Sequence, residues 1–143
     1  MLHGKYGSVH SFAFLDDGSA LTLLDNDLAD ELGLVGQVKP LCLHWTGGTQ
    51  RQEDTSRVVN FEVSGVGEGT KRFSMSGVRT VDSLLLPSQS LNIEELSRRH
   101  PYLRNLPISS YEAVRPRVLI GMKDQHLTLV LKSRKVVQNI HLL

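Results

Sequence analysis

Short apolar stretches with the spacing of β-strands run through most of the 143-residue chain. The clearest is SRVVNFEVSGV, where Val59, Phe61 and Val63 alternate with polar residues, as in a strand with one buried face. Less regular apolar runs in VHSFAFL, VKPLCLHWTGGT, KRFSMSGVRTV and RVLIG predict further strands. The pattern therefore predicts an all-β, or mainly β, protein.

Two segments carry helix signals instead. In DNDLADELGL, Leu28 and Leu32 lie four residues apart, and Gly33 can end a helix in the left-handed conformation. In the proline-rich stretch that follows residue 86, Asn92 can cap a helix that ends at Pro101. One or two short helices are therefore expected. After RVLIG, strands are again predicted for HLTLVL and KVVQNIHLL.

Length and charge narrow the class of protein. A chain of 143 residues with 40% hydrophobic residues can bury one core, so a single domain over residues 1–143 is expected. The net charge is +1, and the short basic clusters are typical of solvated surfaces, so no direct nucleic-acid binding is expected. No apolar run approaches the roughly 18 residues that span a bilayer, and no membrane partner is expected.

Cysteine and histidine usage points to a reducing compartment and against a metal. The single cysteine, Cys42, cannot form an intramolecular disulfide, which predicts a cytoplasmic, intracellular location and a buried, inert thiol. The six histidines include no pair with the spacing of a helical zinc site. No metal and no cofactor are therefore expected.

Two predicted turns are candidates for a functional site. Asp16 and Asp17 stand between the apolar FAFL, which is predicted to be a buried strand, and Gly18. A solvated Asp-Gly turn is the simplest interpretation. The segment WTGGT can be a hairpin turn with Trp45 in the core. It can equally be a mobile flap, in which the adjacent glycines act as hinges and Trp45 as an apolar lever.

Five blocks of the chain, in order, extend these observations. They are FAFLDDGSALTLLDNDLADELGL, PLCLHWTGG, VRTVDSLLLPSQSL, PYLRNLPISSY and VLIGMKDQHL. From about residue 3 to residue 127 the chain resembles the retropepsin-like aspartic protease domain of Pao/BEL-type retrotransposon polyproteins. The resemblance implies a retropepsin-like closed barrel, the acid protease fold.

The resemblance also implies a site. Asp16 matches the catalytic aspartate, and VLIG matches the apolar-apolar-Gly segment that packs behind the catalytic turn. The other implied site residues are Asp17, Gly18 and Ser19 in support of the turn, Trp45, Thr46, Gly47 and Gly48 in the flap and substrate-binding segment, and Leu119, Ile120 and Gly121 behind the turn.

An aspartic endopeptidase activity follows from the resemblance. Such enzymes use two carboxylates roughly 3 Å apart that share one proton, one acting as base toward a water and the other as acid. The chain has a single Asp-x-Gly turn, so the second carboxylate must come from a second copy. A homodimer with its site on the two-fold axis is therefore implied, with a peptide or polyprotein as substrate and polyprotein processing as its role.

Two positions depart from the family. Asp17 stands where the family usually has Thr or Ser, and Met122 follows Gly121 where many retropepsins carry Arg. A carboxylate at position 17 must be protonated, hydrogen-bonded or turned to solvent. The alternative is therefore a catalytically inactive, dimeric binding or structural module with the same fold, and an unrelated β-barrel domain is a third possibility.

Overall fold

The computed structural model describes residues 1–128. Within them the chain forms two compact units. The larger comprises Met1–Pro87 and Arg115–Thr128, and the smaller comprises Ser88–Val114. One domain over residues 1–143 stays a prediction, and the predicted strand in KVVQNIHLL lies outside the described residues.

Strands make up most of the regular structure, which confirms the predicted mainly β class. The larger unit contains β1 (Leu2–Gly4), β2 (Gly7–Val9), β3 (Ala13–Leu15), β4 (Leu23–Asp25), α1 (Asn26–Glu31), β5 (Gln37–Val38), β6 (Leu41–His44), β7 (Gln50–Glu53), β8 (Arg57–Ser64), β9 (Arg72–Val81) and, after the smaller unit, β12 (Val118–Ile120). The smaller unit contains β10 (Gln89–Leu91), α2 (Ile93–Arg99) and β11 (Tyr111–Val114). Short 3-10 segments cover Pro101–Leu103 and Met122–Thr128.

An eight-stranded sheet forms the frame of the larger unit and curls into a half-barrel. Its strand order is β2-β1-β8-β9-β4-β12-β3, with β5 paired to β8. The strands β8 and β9 are antiparallel, and β4 runs parallel to β9. The strand β12 lies between β4, to which it is antiparallel, and β3, to which it is parallel. Within the described residues β3 is therefore an edge strand.

The hydrophobic core lies between this sheet and α1. Leu28 and Leu32 are both fully buried, as their spacing predicted, and they pack against sheet residues such as Val59. Phe61 is buried and Val63 is partly buried, so the half-buried strand is also confirmed. Each fully buried leucine stabilises the fold by about 1.5–3 kcal/mol.

The end of α1 depends on a glycine. Gly33 has φ of +68°, the left-handed conformation that favours glycine. Its N–H donates to Asp30 O at 3.0 Å, which closes the last turn of the helix. A Cβ at this position would lie 2.7 Å from the ring of Tyr6. The predicted helix stop at Gly33 is therefore confirmed.

In the smaller unit, α2 begins as predicted. The side chain of Asn92 accepts a hydrogen bond from the backbone N–H of Glu95 at 3.0 Å, and this cap satisfies a donor that the first helical turn leaves free. The helix ends at Arg99, immediately before His100 and Pro101. The strands β10 and β11 pair antiparallel beside it.

The segment after β12 differs from the prediction. HLTLVL was predicted as a strand, but its described residues belong to the 3-10 segment Met122–Thr128, which has a kink at Asp124. The backbone N–H of Met122 donates to Ser19 O at 2.8 Å, and that of Asp124 donates to Gly121 O at 3.1 Å. These bonds turn the chain immediately after the buried β12, and an alternating apolar pattern alone does not reveal them.

Asp25 makes the stability of the fold depend on pH. Asp25 is 9% exposed, and its Oδ1 accepts the Leu84 N–H at 2.7 Å. Burial raises the pKa of Asp25 above 3.8, the nearby Asp27 adds to this, and the Leu84 hydrogen bond opposes it. A folded-state pKa above the unfolded value means that stability is fully present below the unfolded pKa and is lost as pH rises through the folded one.

We therefore expect the stability of the wild type relative to Asp25→Asn to be greatest in acid and to fall as pH rises through the raised pKa. Urea unfolding of both proteins across a pH series from about 3 to 7 measures this difference. The exposed Glu68, changed to Gln, controls for the general loss of one negative charge. A difference that grows with pH would contradict the assignment.

Candidate active site

Asp16 begins the turn that follows β3, and pairing with β12 fixes its position. Residues 13–15 lie opposite residues 118–120 in parallel register. The backbone N–H of Asp16 extends this pairing by donating to Ile120 O at 2.9 Å. The start of the turn is therefore held by the buried strand β12 rather than by β3 alone.

The turn itself orients the Asp16 carboxylate. Its Oδ1 accepts the backbone N–H of Gly18 at 2.9 Å, and its carbonyl accepts the N–H of Ser19 at 3.3 Å. The Ser19 hydroxyl in turn donates to Leu21 O at 2.9 Å. Asp16 is partly buried and Asp17 is exposed. One oxygen of Asp16 is thus anchored, and Asp17 is the more exposed of the two residues.

A buried side-chain pair ties the turn to the segment after β12. The Thr22 hydroxyl donates to Asp124 Oδ2 at 2.6 Å and accepts the Gly121 N–H at 3.2 Å. Thr22 is 1% exposed and Asp124 is 5% exposed. Sequence reasoning missed both residues, although Thr22 is a lone polar residue in an apolar run, which is a usable signal for a buried hydrogen bond.

Gly121 passes directly behind the turn. A Cβ at this position would lie 2.7 Å from Ser19 O and closer still to Leu21 O. No real Cβ occupies such a position without movement of the backbone. The approach of the two chain segments therefore requires glycine here, in the place that VLIG led us to expect.

Asp16 lies between two hollows in the surface of the larger unit. We call the first the hairpin cleft; its volume is about 190 Å³, and it is lined by Asp16, Gly18, Ser19, Leu23, Leu43, His44, Trp45, Arg51, Leu84, Leu86 and Leu119. The second, the strand-end cavity, has about 300 Å³ and is lined by Leu15, Asp16, Asp17, Ile120, Gly121, Met122 and Gln125. Asp16 is the residue common to both linings.

The predicted flap segment forms the turn of the β6–β7 hairpin. Trp45 N–H donates to Thr49 O at 2.9 Å, and Gly48 N–H donates to Trp45 O at 3.2 Å. Trp45 lines the hairpin cleft and is 48% exposed, so the alternative of a core tryptophan is wrong. Thr46, Gly47 and Gly48 are exposed and do not line either hollow at Asp16.

Side chains of the hairpin alternate between two faces. Leu41 and Leu43 on β6 are partly buried, as is Arg51 on β7, and Glu53 is buried. Cys42 points the other way and is exposed. The prediction of a buried thiol is therefore wrong, because the strand period of two assigns the residue between two inward leucines to the outer face.

The predicted burial of β3 is the second prediction near the site that is wrong. The sequence predicted a buried apolar strand before Asp16, but all three residues of β3 are exposed. Phe14 is 41% exposed and Leu15 is 55% exposed, and Met122 nearby is 52% exposed. An edge strand has no neighbour on one side, so apolar composition did not suffice to bury it.

Comparison with known proteins adds no identification, since no family model, no curated protein and no solved structure matches this chain. Among residues 1–128 there is no helix long and apolar enough to cross a membrane. The same residues contain no group of three or more His, Cys, Asp or Glu side chains placed to hold a metal ion.

The Thr22–Asp124 contact yields a stability prediction. Thr22→Val removes the hydroxyl and leaves both the Asp124 carboxyl and the Gly121 N–H without their buried partner, so we expect a loss of about 2–3 kcal/mol. Thr22→Ser keeps the hydroxyl and is the matched control. Urea unfolding measures both variants, and equal losses for Val and Ser would show that the methyl group, not the hydrogen bonds, matters.

Proposed function

We propose that this chain is a retropepsin-like aspartic endopeptidase that hydrolyses peptide bonds with two Asp16 carboxylates, one from each copy of a homodimer. The observation that carries the proposal is the setting of Asp16. The residue follows an edge strand paired with β12, its Oδ1 is anchored by the Gly18 N–H, and it opens onto a cleft beneath a glycine-tipped hairpin.

The need for a second copy is supported by the surface beside Asp16. The chain has one Asp-x-Gly turn, and a single carboxylate cannot act as both acid and base. Phe14, Leu15 and Met122 expose apolar surface next to that turn. Exposed apolar surface of this kind is typical of protein contacts, and a two-fold contact there would bring two Asp16 residues together.

In the proposed mechanism the two carboxylates share one proton, because like charges so close do not both ionise readily. The ionised member takes a proton from a water as that water attacks the peptide carbonyl carbon. The protonated member donates its proton to the carbonyl oxygen, which gives a tetrahedral diol intermediate. The C–N bond then breaks as the first carboxyl group passes the proton taken from water to the leaving nitrogen, while the second carboxylate takes a proton back from a hydroxyl of the diol. The Gly18 N–H holds one oxygen of Asp16 in place throughout.

The β6–β7 hairpin is proposed as the flap. Gly47 has φ of +88° and Gly48 has φ of +80°, which glycine adopts at little cost. Trp45 lies on the cleft side of this turn. Closure over a bound peptide would exclude water from the reacting carboxylates and complete the binding groove.

The substrate within this proposal is a retroelement polyprotein, and its support is the resemblance of the sequence blocks to the Pao/BEL family. A reducing, cytoplasmic setting is part of the same proposal. The exposed Cys42 thiol is compatible with it, because unpaired thiols persist where the compartment keeps them reduced.

One observation favours the alternative of a dimeric binding or structural module without turnover. Asp17 places an exposed carboxylate beside Asp16, so a two-fold contact would bring four carboxylates close to one axis. Repulsion among them disfavours ionisation of the dyad, and without an ionised carboxylate the site cannot activate a water. Asp17→Thr removes this repulsion and separates the two candidates, because only an enzyme gains peptidase activity from it.

The testing experiment is cleavage of a mixed peptide library, read by mass spectrometry, with and without pepstatin. We expect cleavage that pepstatin blocks and that rises more steeply than linearly with protein concentration below the dimer dissociation constant. Dimers without cleavage, for the wild type and for Asp17→Thr alike, would select the binding module. Cleavage by a protein that sediments as a monomer would exclude the dimeric mechanism.

A further inference from the structure

The inner face of the β6–β7 hairpin carries a charged pair where apolar residues are expected. Glu53 is 3% exposed. Its Oε2 accepts the backbone N–H of Asp82 at 2.9 Å, and its Oε1 lies 2.6 Å from Arg51 Nε. A buried carboxylate is costly unless it is paired, so Glu53 holds the Arg51 guanidinium on the inner face of the hairpin.

Arg51 keeps its hydrogen-bond donors unused. The contact with Glu53 is an ion pair without hydrogen-bond geometry at Nε, which is a buried donor with no partner. The guanidinium also lies 5.8 Å from the ring centroid of Trp45. Within the described residues the Arg51 side chain donates no hydrogen bond. Since a guanidinium offers five N–H donors in a planar fork that suits a carboxylate, this arrangement is suited to a ligand.

The charge of Arg51 faces the hairpin cleft. Its side chain is 28% exposed, whereas that of Glu53 is 2% exposed, so the cation is at the opening and the anion behind it. Much of the remaining lining is apolar, with five leucines. Apolar walls strengthen an ionic contact made between them, and they suit the methylene stem of an amino-acid side chain.

We infer that Arg51 is a specificity-determining residue that binds the carboxylate of an acidic side chain, Asp or Glu, in the peptide substrate near the scissile bond. The inference rests on the proposed peptidase function and deepens it. Arg51 and Asp16 line the same cleft, so a peptide with its scissile bond at Asp16 places a neighbouring side chain within reach of the guanidinium.

The test uses acetylated and amidated octapeptides with two large apolar residues at the centre, so that the only carboxylate is the one under study. Members of each peptide pair differ in Glu or Gln at one flanking position, and the pairs scan all flanking positions. Arg51→Gln alone would leave Glu53 unpaired and could unfold the hairpin. We therefore compare Glu53→Gln, which keeps Arg51, with the double variant Arg51→Gln/Glu53→Gln.

At one flanking position we expect the wild type and Glu53→Gln to prefer the Glu peptide by roughly tenfold or more in kcat/KM, the size of a charge-assisted contact. The double variant should cleave both members of that pair at equal rates. An undiminished preference in the double variant, or no position with a preference for Glu, would overturn the inference.

A binding measurement tests recognition of the acidic side chain independently of catalysis. The same peptides, carrying a fluorophore, are titrated with the Asp16→Asn protein and with Asp16→Asn combined with the double variant. Tighter binding of the Glu peptide that is lost with Arg51 supports acid recognition even if the wild type cleaves nothing, in which case only the proposed catalysis fails. Equal binding of Glu and Gln peptides by Asp16→Asn overturns the inference whatever the wild type cleaves.

Discussion

Asp16→Asn is expected to lower peptide cleavage by at least about a thousandfold, because it removes the acid and the base of the proposed dyad at once. The folded turn should survive, since the Asn side-chain oxygen can still accept the Gly18 N–H that now reaches Asp16 Oδ1 at 2.9 Å. The measurement is the initial rate on one library-derived peptide, with urea unfolding of each variant.

Asp17→Asn is the matched control for that result. It removes the same charge one residue further along, from an exposed side chain, and we expect it to cleave at the wild-type rate or faster, since it removes repulsion on the dyad and leaves both reacting carboxylates in place. If Asp17→Asn abolishes cleavage while Asp16→Asn does not, the roles of the two aspartates are reversed.

A second substitution with a large expected effect lies in the apolar surface beside Asp16. Leu15→Glu should convert a dimer into a monomer and lower cleavage by at least about a hundredfold at concentrations where the wild type is dimeric, because it buries a charge in the proposed contact. Leu15 is 55% exposed in a single copy, so the fold of the monomer should tolerate the change. Sedimentation velocity and initial rates measure the two effects.

Val66→Glu controls for adding a charge to exposed apolar surface elsewhere. Val66 lies between β8 and β9 and is 71% exposed. We expect it to leave both the sedimentation coefficient and the cleavage rate unchanged. A Leu15→Glu protein that still sediments as an active dimer would place the contact on another surface.

Strand and helix positions were predictable where local chemistry decides them. The alternation in β8, the Asn92 cap of α2 and the Gly33 stop of α1 each depend on residues within a few positions of one another. Such signals remain valid in the folded chain because the same backbone groups must be satisfied in any tertiary context.

Exposure of β3 and of Cys42 was not predictable from composition, because burial depends on neighbours that are distant in sequence. β3 is apolar, but its place at the sheet edge leaves its side chains open. Cys42 lies between Leu41 and Leu43, which point inward, so the pleat turns it outward. Knowledge of which face is inner requires the strand register.

The candidate site was predictable in part. The turn at Asp16 and the VLIG segment are each a short continuous stretch of sequence, and each was predicted by itself. The structure brings these two distant stretches within hydrogen-bond distance of each other. The pairs Thr22–Asp124 and Arg51–Glu53 were missed because sequence reasoning assigns charged residues to solvent. Only the fold shows that Asp124 and Glu53 are buried against specific donors.

The most direct test of a site shared between two copies is a mixing titration. Asp16→Asn protein is added to a fixed amount of wild type after exchange of subunits, and the cleavage rate is followed. With one Asp16 needed from each copy, an equal amount of the inactive chain should lower the rate to about half, and larger amounts should lower it further, as wild-type chains enter mixed dimers. A rate that stays constant at every ratio would show that one chain suffices and would contradict the shared site.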